Sequence, residues 1–341
     1  ADELLNSGRS YVGYYGYTYT GKSQGNVNFN DYWTAKDANG NYTRPIGAFS
    51  PNYIAGYLLD KFTYKDVHFN IGLRVDRFST NEKVLKDPYS LYAVHTVSNS
   101  SDAQKSYNHG VNPENMGGDY VVYVDDNSAS HPTVIGYRSG STWYDPTGKY
   151  ISDPSVLKNY AGGRDPQPYL VGGINTPKIT DSSFNPNNSF TDYTPQVTLQ
   201  PRISFSFPIS DVADFYAHYD IYTQRPTSNS RADASVYYFL QQNANQIVNN
   251  PNLKSQKTFD YEVGFQQKLN DHSALTISAF YKERKDMITV VPYLYAYPST
   301  YYTYGNRDFS TTKGASVLYD LRATNHLRMN VSYTLQFAEG T

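Results

Sequence analysis

Val67-His68-Phe69-Asn70-Ile71-Gly72-Leu73-Arg74-Val75-Asp76 decides the fold of this chain. Every second residue from Val67 to Val75 is apolar, and each residue between them is polar or glycine. A period of two makes the segment a strand with one apolar face, because a helix would scatter both sets around its circumference. Upstream, Tyr53, Ala55, Tyr57 and Leu59 are expected to form one face of a partner strand, with Ile54 and Leu58 blurring the alternation. Thr63-Tyr64-Lys65-Asp66 closes the hairpin.

The unit returns three times. Val197, Leu199, Ile203, Phe205 and Phe207 oppose Thr198, Gln200, Arg202, Ser204 and Ser206, and after a turn at 208–211 come Phe215, Ala217, Tyr219 and Ile221. Pro201 lies on the apolar face and has no N–H to give a ladder, so a bulge or irregular pairing is expected there. A third hairpin sets Phe259, Tyr261, Val263 and Phe265 against Leu275, Ile277, Ala279 and Tyr281 across Asn270-Asp271-His272. In the fourth, Ala315, Val317, Tyr319 and Leu321 lead through 323–326 to Leu327, Met329, Val331, Tyr333 and Leu335. The dense tyrosines Tyr11, Tyr15, Tyr17 and Tyr19 predict two further strands between Tyr11 and Pro45.

The links alternate between very short and very long. The stretch from Ser79 to Pro195 far exceeds the roughly 12–15 residues of an ordinary loop, and shorter excursions span 223–255 and 286–308. Short periplasmic turns with long extracellular loops are the asymmetry of an outer-membrane barrel. The fold class is therefore all-β, an antiparallel transmembrane β-barrel. A soluble β-sandwich or propeller is the alternative, disfavoured because long polar loops fall at one end only. Phe62, Phe78, Phe207, Tyr222 and Tyr281, near strand ends, are expected to form an interfacial aromatic girdle.

Composition agrees. Tyr supplies 36 of 341 residues against 3 Met and 2 Trp, a balance that favours pleated surfaces. The 29 basic and 31 acidic residues leave a net charge of −2 with no long block of either sign, which removes the usual footprint of nucleic-acid binding. With no Cys, disulfides and thiolate metal sites are excluded. Mean hydropathy is −0.63 and no run approaches the roughly 20 apolar residues of a membrane helix. A membrane strand needs only about 9–11 residues, half of them facing a polar lumen, so averaging hides it. Ala1-Asp2-Glu3-Leu4-Leu5 has no signal-peptide character.

A resemblance adds to this. Asn250-Pro251-Asn252-Leu253-Lys254, running into Tyr261-Glu262-Val263-Gly264-Phe265, resembles the barrel signature of TonB-dependent outer-membrane receptors, in which Asn-Pro-x-Leu-Lys precedes a Tyr-Glu-x-Gly strand. Ala279-Phe280-Tyr281-Lys282 with Asp286-Met287-Ile288, the Gly72-Leu73-Arg74-Val75-Asp76 strand after Asp60-Lys61, and Pro201-Arg202-Ile203-Ser204 are similar to further segments of that family. The closing YTLQFAEGT resembles the large Bacteroidetes receptors of the Oar-like type, which carry a carboxypeptidase-regulatory-like N-terminal domain. The resemblance implies a barrel of about 22 strands, a plug domain and a TonB-box. Neither plug nor box is visible, so residues 1–341 are read as one segment of a barrel domain, a partial wall with a long extracellular loop at about 79–195.

No catalytic constellation emerges. His68, His95, His109, His131, His218, His272 and His326 are scattered without zinc spacing, and Ser139-Gly140-Ser141 lacks a nucleophile elbow. Asp125-Asp126-Asn127 could offer oxygens to Ca²⁺, but a solvated turn is the favoured reading because the twelve-residue calcium spacing is absent. No cofactor or metal is expected. Arg74, Asp76, Arg202, Asp220, Asp260, Glu262, Lys282, Asp320 and Arg328 are expected on the lumen wall, facing in the family the plug and the transport path. Tyr137 and Arg138 with Trp143, Tyr144 and Asp145 could clasp a polar substrate, with packing inside the long loop as the stronger alternative.

The function expected is TonB-dependent active transport of a large or scarce nutrient, a peptide, glycan or chelate, in the outer membrane of a Gram-negative bacterium. Expected partners are outer-membrane lipid, TonB through a plug outside these residues, the remaining barrel strands and a surface lipoprotein. A passive porin or adhesive barrel is the alternative, and a barrel enzyme a weaker one.

Overall fold

A computed structural model describes residues 15–18, 20–99, 112–130, 132–227, 229–324 and 326–340. In chain order the strands are β1 (Asn52–Tyr64), β2 (Val67–Ser79), β3 (Lys83–Leu85), β4 (Val121–Val124), β5 (Val134–Ser139), β6 (Thr142–Tyr144), β7 (Tyr150–Ile151) and β8 (Gln167–Pro168). They continue as β9 (Phe190–Asp192), β10 (Gln196–Ser210), β11 (Ala213–Gln224), β12 (Ile247–Val248), β13 (Gln256–Asn270), β14 (Ser273–Tyr293), β15 (Tyr301–Thr324) and β16 (Leu327–Gly340).

The eight long strands form one antiparallel wall in the order β1-β2-β10-β11-β13-β14-β15-β16. They are the four hairpins of the sequence pattern, joined at the tight end by turns of two residues. Lys65 opens the first of these with a φ of 53°. One face of the wall is apolar and bare: Leu58 is 78% exposed and Val197 62%. A soluble monomer rarely exposes so continuous an apolar surface, and here its solvent is lipid. The opposite, polar face is the lumen side.

Register corrects two expectations and bears out part of a third. Leu58 pairs with Leu73 and Phe62 with Phe69, so Ile54, Leu58 and Phe62 belong to the lipid face, whereas Tyr53, Ala55 and Tyr57 share the lumen face with Asp76 and Arg74. The tyrosine hydroxyl explains the inversion, because Tyr53 has polar partners to reach on that side. Pro201 stays in register with Leu73, and pairing of β10 with β11 stops one residue away at Arg202. That break is the irregular pairing expected of a residue with no N–H, while the register shift falls at Pro208/Ser210. Of the expected girdle, Phe62 stacks on Phe69 at 5.1 Å on the lipid face, but Phe78 is buried against Tyr193 and Tyr222 stands on the lumen face.

The long links are folded. A five-stranded sheet of order β7-β6-β5-β4-β8 and the β3-β9 pair occupy the segment between β2 and β10. A cluster of buried side chains joins Tyr32 and Trp33 to Leu91, Phe184 and Phe190 and to Tyr237 and Phe239. Three stretches far apart in sequence therefore share one aromatic core. A second core, with Tyr123, Ile135, Trp143 and Leu157, takes in Tyr293 at the end of β14 and Tyr295 from the β14–β15 link. The many tyrosines thus build a loop body above the wall as well as the wall itself.

That core replaces the two strands expected between Tyr11 and Pro45. Tyr11 and Tyr19 lie outside the described residues; among the described ones before Asn52 there is a single helical turn, Asp31–Thr34, and no strand. Tyr32 and Trp33 on that turn are pulled into the loop body, so their burial comes from tertiary packing and not from strand pairing.

Candidate functional site

Cross-strand partners share a face in an antiparallel ladder, so register assigns every lumen side chain. On β2, Arg74 Nε lies 2.8 Å from Asp76 Oδ1. Tyr53 Oη accepts from Arg74 Nη2 at 2.8 Å and donates to Asp76 Oδ2 at 2.9 Å, and the Arg225 guanidinium sits 4.4 Å over the Tyr53 ring. Next along the wall, Arg202 faces Asp220 and lies 5.0 Å over the Tyr222 ring, whose hydroxyl donates to Asp220 Oδ2 at 2.7 Å. Lys282 Nζ pairs with Asp260 Oδ2 at 2.9 Å, and Tyr216 Oη donates to Glu262 Oε1 at 3.2 Å. Asp320 faces Asn330, and Arg328 shares that face two residues from it. The charges occur as neighbouring opposites, which keeps the lumen polar without one dominant sign.

Two hollows open on this face. One of about 310 Å³, at the loop ends of the strands, is lined by Tyr53, Asp76, Phe78, Thr198, Thr223 and Arg225 among others. Lower on the wall, one of about 660 Å³ includes Tyr216, Glu262, Phe280, Lys282 and Arg284. Buried Gln200 Nε2 and Asp260 Oδ1 have no partner among the described residues, so hydrogen-bonding capacity remains on this side. Tyr216 and Arg225 were not singled out from sequence, and Tyr53 and Tyr222 were read only as a strand-face and a girdle residue. The signal of the three tyrosines is lumen parity within reach of a carboxylate, Asp76 for Tyr53, Glu262 for Tyr216 and Asp220 for Tyr222, readable only once register is known.

The family-like motifs have mechanical roles. In Tyr261-Glu262-Val263-Gly264, Glu262 and Gly264 point into the lumen, and Tyr216 is the direct partner of Gly264. A Cβ on Gly264 would lie 2.1 Å from Tyr216 Cζ, so the glycine is the seat of that ring. Phe280 over Gly314 repeats the arrangement, with 2.8 Å from a Cβ to its Cζ. In Asn250-Pro251-Asn252-Leu253-Lys254 the side chain of Asn250 donates to Tyr304 O at 2.8 Å. Leu253 is fully buried while its carbonyl accepts from Gln196 Nε2 at 2.9 Å. Lys254 exchanges backbone hydrogen bonds with the Asn306 side chain at 2.7 and 2.9 Å. The motif clamps the loop body to β10 and β15.

The structure brings Tyr137, Arg138, Trp143, Tyr144 and Asp145 together on one hairpin, pairing Tyr137 with Tyr144 and Arg138 with Trp143. All but Tyr144 are buried, Arg138 to 3% exposure. The Arg138 guanidinium reaches Asp87 Oδ2 at 2.5 Å, Tyr123 Oη at 3.2 Å and Gly140 O at 2.8 Å, and stacks 4.2 Å over the Tyr89 ring. Burial opposes its charge, yet Tyr123 and Asp87 outweigh that and hold its pKa above the ordinary value. Asp145 Oδ1 accepts from the Thr147 and Lys149 amides and the Thr147 hydroxyl. The clasp of aromatic rings and charge is closed on groups of the chain itself.

Other candidates are similarly engaged. Asp125 and Asp126 accept from Thr133 N and Ser128 N and face Arg164, and Asn127 bridges Pro168 O and Leu170 N. His68 Nδ1 is 2.8 Å from Thr63 Oγ1 on the lumen face, and burial depresses the His95 pKa in the loop body. Glu82 Oε2 accepts from Ala232 N at 2.9 Å, and burial lifts its pKa to about 7.

Residues 2–341 match the family model described as "TonB dependent receptor-like, beta-barrel". Solved structures similar to this chain include the FrpB iron transporter from Neisseria meningitidis (F3-3 variant; 10% identity, TM-score 0.40, 85% of this chain and 26% of that one). Others are the Serratia marcescens hemophore receptor HasR in complex with HasA and heme (11%, 0.44, 84% and 34%) and the alcaligin receptor FauA from Bordetella pertussis (10%, 0.36, 85% and 30%). No curated protein matches the chain. The chain spans roughly a quarter to a third of the length of these structures. With an antiparallel wall bearing a lipid face and a lumen face, and with the match running almost end to end, the chain belongs to the TonB-dependent receptor β-barrel family of the Gram-negative outer membrane.

Proposed function

We propose that these residues are part of the barrel of an active transporter that takes up a large or scarce nutrient, a peptide, glycan or chelate, with energy supplied by TonB. The observation that carries this reading is the lumen face itself. Its opposed charges and tyrosine hydroxyls line a continuous polar track that ends, at the loop side, in the hollow between Tyr53, Asp76 and Arg225. Such a track exchanges weak polar contacts with a passing solute instead of trapping it, as conduction requires.

In this reading the loop body captures cargo, and Tyr137, Arg138, Trp143, Tyr144 and Asp145 serve capture as its frame. The lumen charges Arg74, Asp76, Arg202, Asp220, Asp260, Glu262 and Arg328 face a plug and the route past it. Each of β1 and β16 pairs on one side only among the described residues, and unpaired backbone groups in hydrocarbon cost several kcal/mol each. Further strands therefore close the barrel, toward the roughly 22 that enclose a plugged lumen. The closing residues favour an Oar-like receptor of the Bacteroidetes type, with a surface lipoprotein docking on the loop body.

The test is uptake by cells carrying the full-length receptor, with and without TonB and with a proton uncoupler. Loss of concentrative uptake in both conditions is expected. Uptake that survives them at an unchanged rate would establish a passive pore.

A further inference from the structure

We propose that the parting of β10 from β11 at the loop side of the wall is a binding slot for an extended peptide, held by its main chain with its terminal carboxylate on Arg225. The inference rests on the transport reading and narrows its cargo to peptides. Pairing of β10 with β11 begins at Arg202 and Asp220. Above that point Gln196 to Pro201 pair with β2 alone, and Ile221 to Gln224 with β13 alone. Two strand edges therefore face each other without a shared ladder, and such edges carry N–H and C=O groups in rows that template a further strand. Side chains bridge the parting. Thr198 Oγ1 lies 3.2 Å from Thr223 Oγ1, and Gln200 Oε1 accepts from Thr223 N at 3.2 Å.

The Gln200 amide stands where the peptide group of a neighbouring strand would stand, and it is half used. Its Oε1 takes the Thr223 N–H, so Nε2 is the remaining donor, and in a side chain 3% exposed that donor has no partner among the described residues. A peptide carbonyl would complete it. Gln196 shows the completed form on the same strand: Oε1 accepts from Ser255 N at 3.0 Å and Nε2 donates to Leu253 O at 2.9 Å. Beside the bridges lies the hollow of about 310 Å³, lined from both sides of the parting by Gln196, Thr198, Thr223, Gln224, Arg225 and Thr227. Arg225 is exposed, stacks 4.4 Å over the Tyr53 ring and has no ion-pair partner among the described residues. A slot that reads only the main chain meets one carboxylate in every peptide, the C-terminal one, and a guanidinium binds it as a fork. Sugars find less here. Tyr53 has one face taken by Arg225 and Phe78 is buried against Tyr193, so the described residues of the hollow lay out no aromatic platform for a sugar ring.

The test equilibrates the full-length receptor in detergent, without TonB, with a pool of random-sequence hexapeptides and reads the bound fraction by mass spectrometry. The other arms are the same pool amidated at the C-terminus, the same pool N-methylated along the backbone, and a pool of neutral hexasaccharides. The free-acid pool is expected to bind, and the N-methylated and saccharide pools are not. Amidation weakens binding about tenfold or more, the contribution of a hydrogen bond to a charged group. R225Q weakens the free-acid pool by that factor and leaves the amidated pool unchanged, while R225K keeps most of the difference between the two. Q200E keeps the acceptor for Thr223 N, removes the donor and weakens both peptide pools about fivefold or more. Heat-resistant mobility on a gel shows which variants fold, and R225Q, at an exposed residue, carries the test if Q200E does not. Binding of saccharides in place of peptides, equal binding of the N-methylated pool, or acid and amide pools that bind alike would each overturn the proposal. Peptides that bind but are not concentrated by cells with TonB would refute transport and leave the slot standing, whereas TonB-dependent uptake of other cargo with no peptide binding would refute the slot.

Discussion

Replacing Arg138 by methionine separates a packing role from a substrate contact. Arg138 is 3% exposed, and its ion pair with Asp87, whose side chain is 16% exposed, is the most deeply buried in the described residues. Arg138→Met leaves Asp87 as a largely desolvated carboxylate and Tyr123 Oη and Gly140 O without their donor. Breaking one side of a buried pair costs about 3–5 kcal/mol, reduced here to about 2–4 because Asp87 keeps some access to water. Asp87→Asn has a similar cost, since it strands the guanidinium. The double variant R138M/D87L removes both charges and is expected to recover more than half of the loss. Hydrogen exchange on the full-length receptor in detergent reads this directly. Protection of β4, β5 and β6 should fall about 30- to 1,000-fold in either single variant, at about 1.36 kcal/mol per tenfold, while β10 to β16 stay unchanged. A loss below about tenfold would refute the reasoning. So would abolished uptake with loop protection intact, since Arg138 would then act on cargo.

Gly264→Ala should cost about 1–3 kcal/mol by forcing the Tyr216 ring off its seat, and G264A/Y216S should regain part of it in the temperature at which the barrel loses its heat-resistant mobility on a gel. Burial lifts Glu82 from the ordinary 4.5 to about 7. Its neutral form is the one the fold accepts, so its contribution is full below pH 4.5 and is lost as pH rises through 7. The protection factor of the 230–240 segment, exchange corrected for its intrinsic pH dependence, should therefore fall by about one to two powers of ten across that window, and Glu82→Gln should flatten that profile. Lys282→Met leaves Asp260, already with one unpartnered oxygen, as an isolated buried carboxylate; a loss of about 2–4 kcal/mol is expected in urea unfolding, with Asp260→Asn on top restoring most of it. Trp33→Ala should cost about 3–5 kcal/mol but only in the loop body, leaving the unfolding of the wall unchanged in proteolysis of the two regions.

The wall was legible in the sequence because a strand writes its two faces into neighbouring residues. Val67 to Asp76, Val197 to Phe207 and Leu327 to Leu335 give period two without reference to anything else in the chain, and the polar faces of β2, β10, β13 and β16 follow from the same count. Where both parities are apolar, as in Tyr53-Ile54-Ala55-Gly56-Tyr57-Leu58, the count is ambiguous, and only pairing with β2 decided that the tyrosines face inward. The loop body was not legible. Trp33, Phe190 and Tyr237 meet across more than 200 residues without a common period, and the Asp87–Arg138 pair joins residues 51 apart. Local pattern therefore set the membrane wall, because lipid imposes one repeated rule on every strand. Tertiary packing decided the loop body, the seat of each tyrosine and the fate of Arg138, because those depend on which distant segments bury one another.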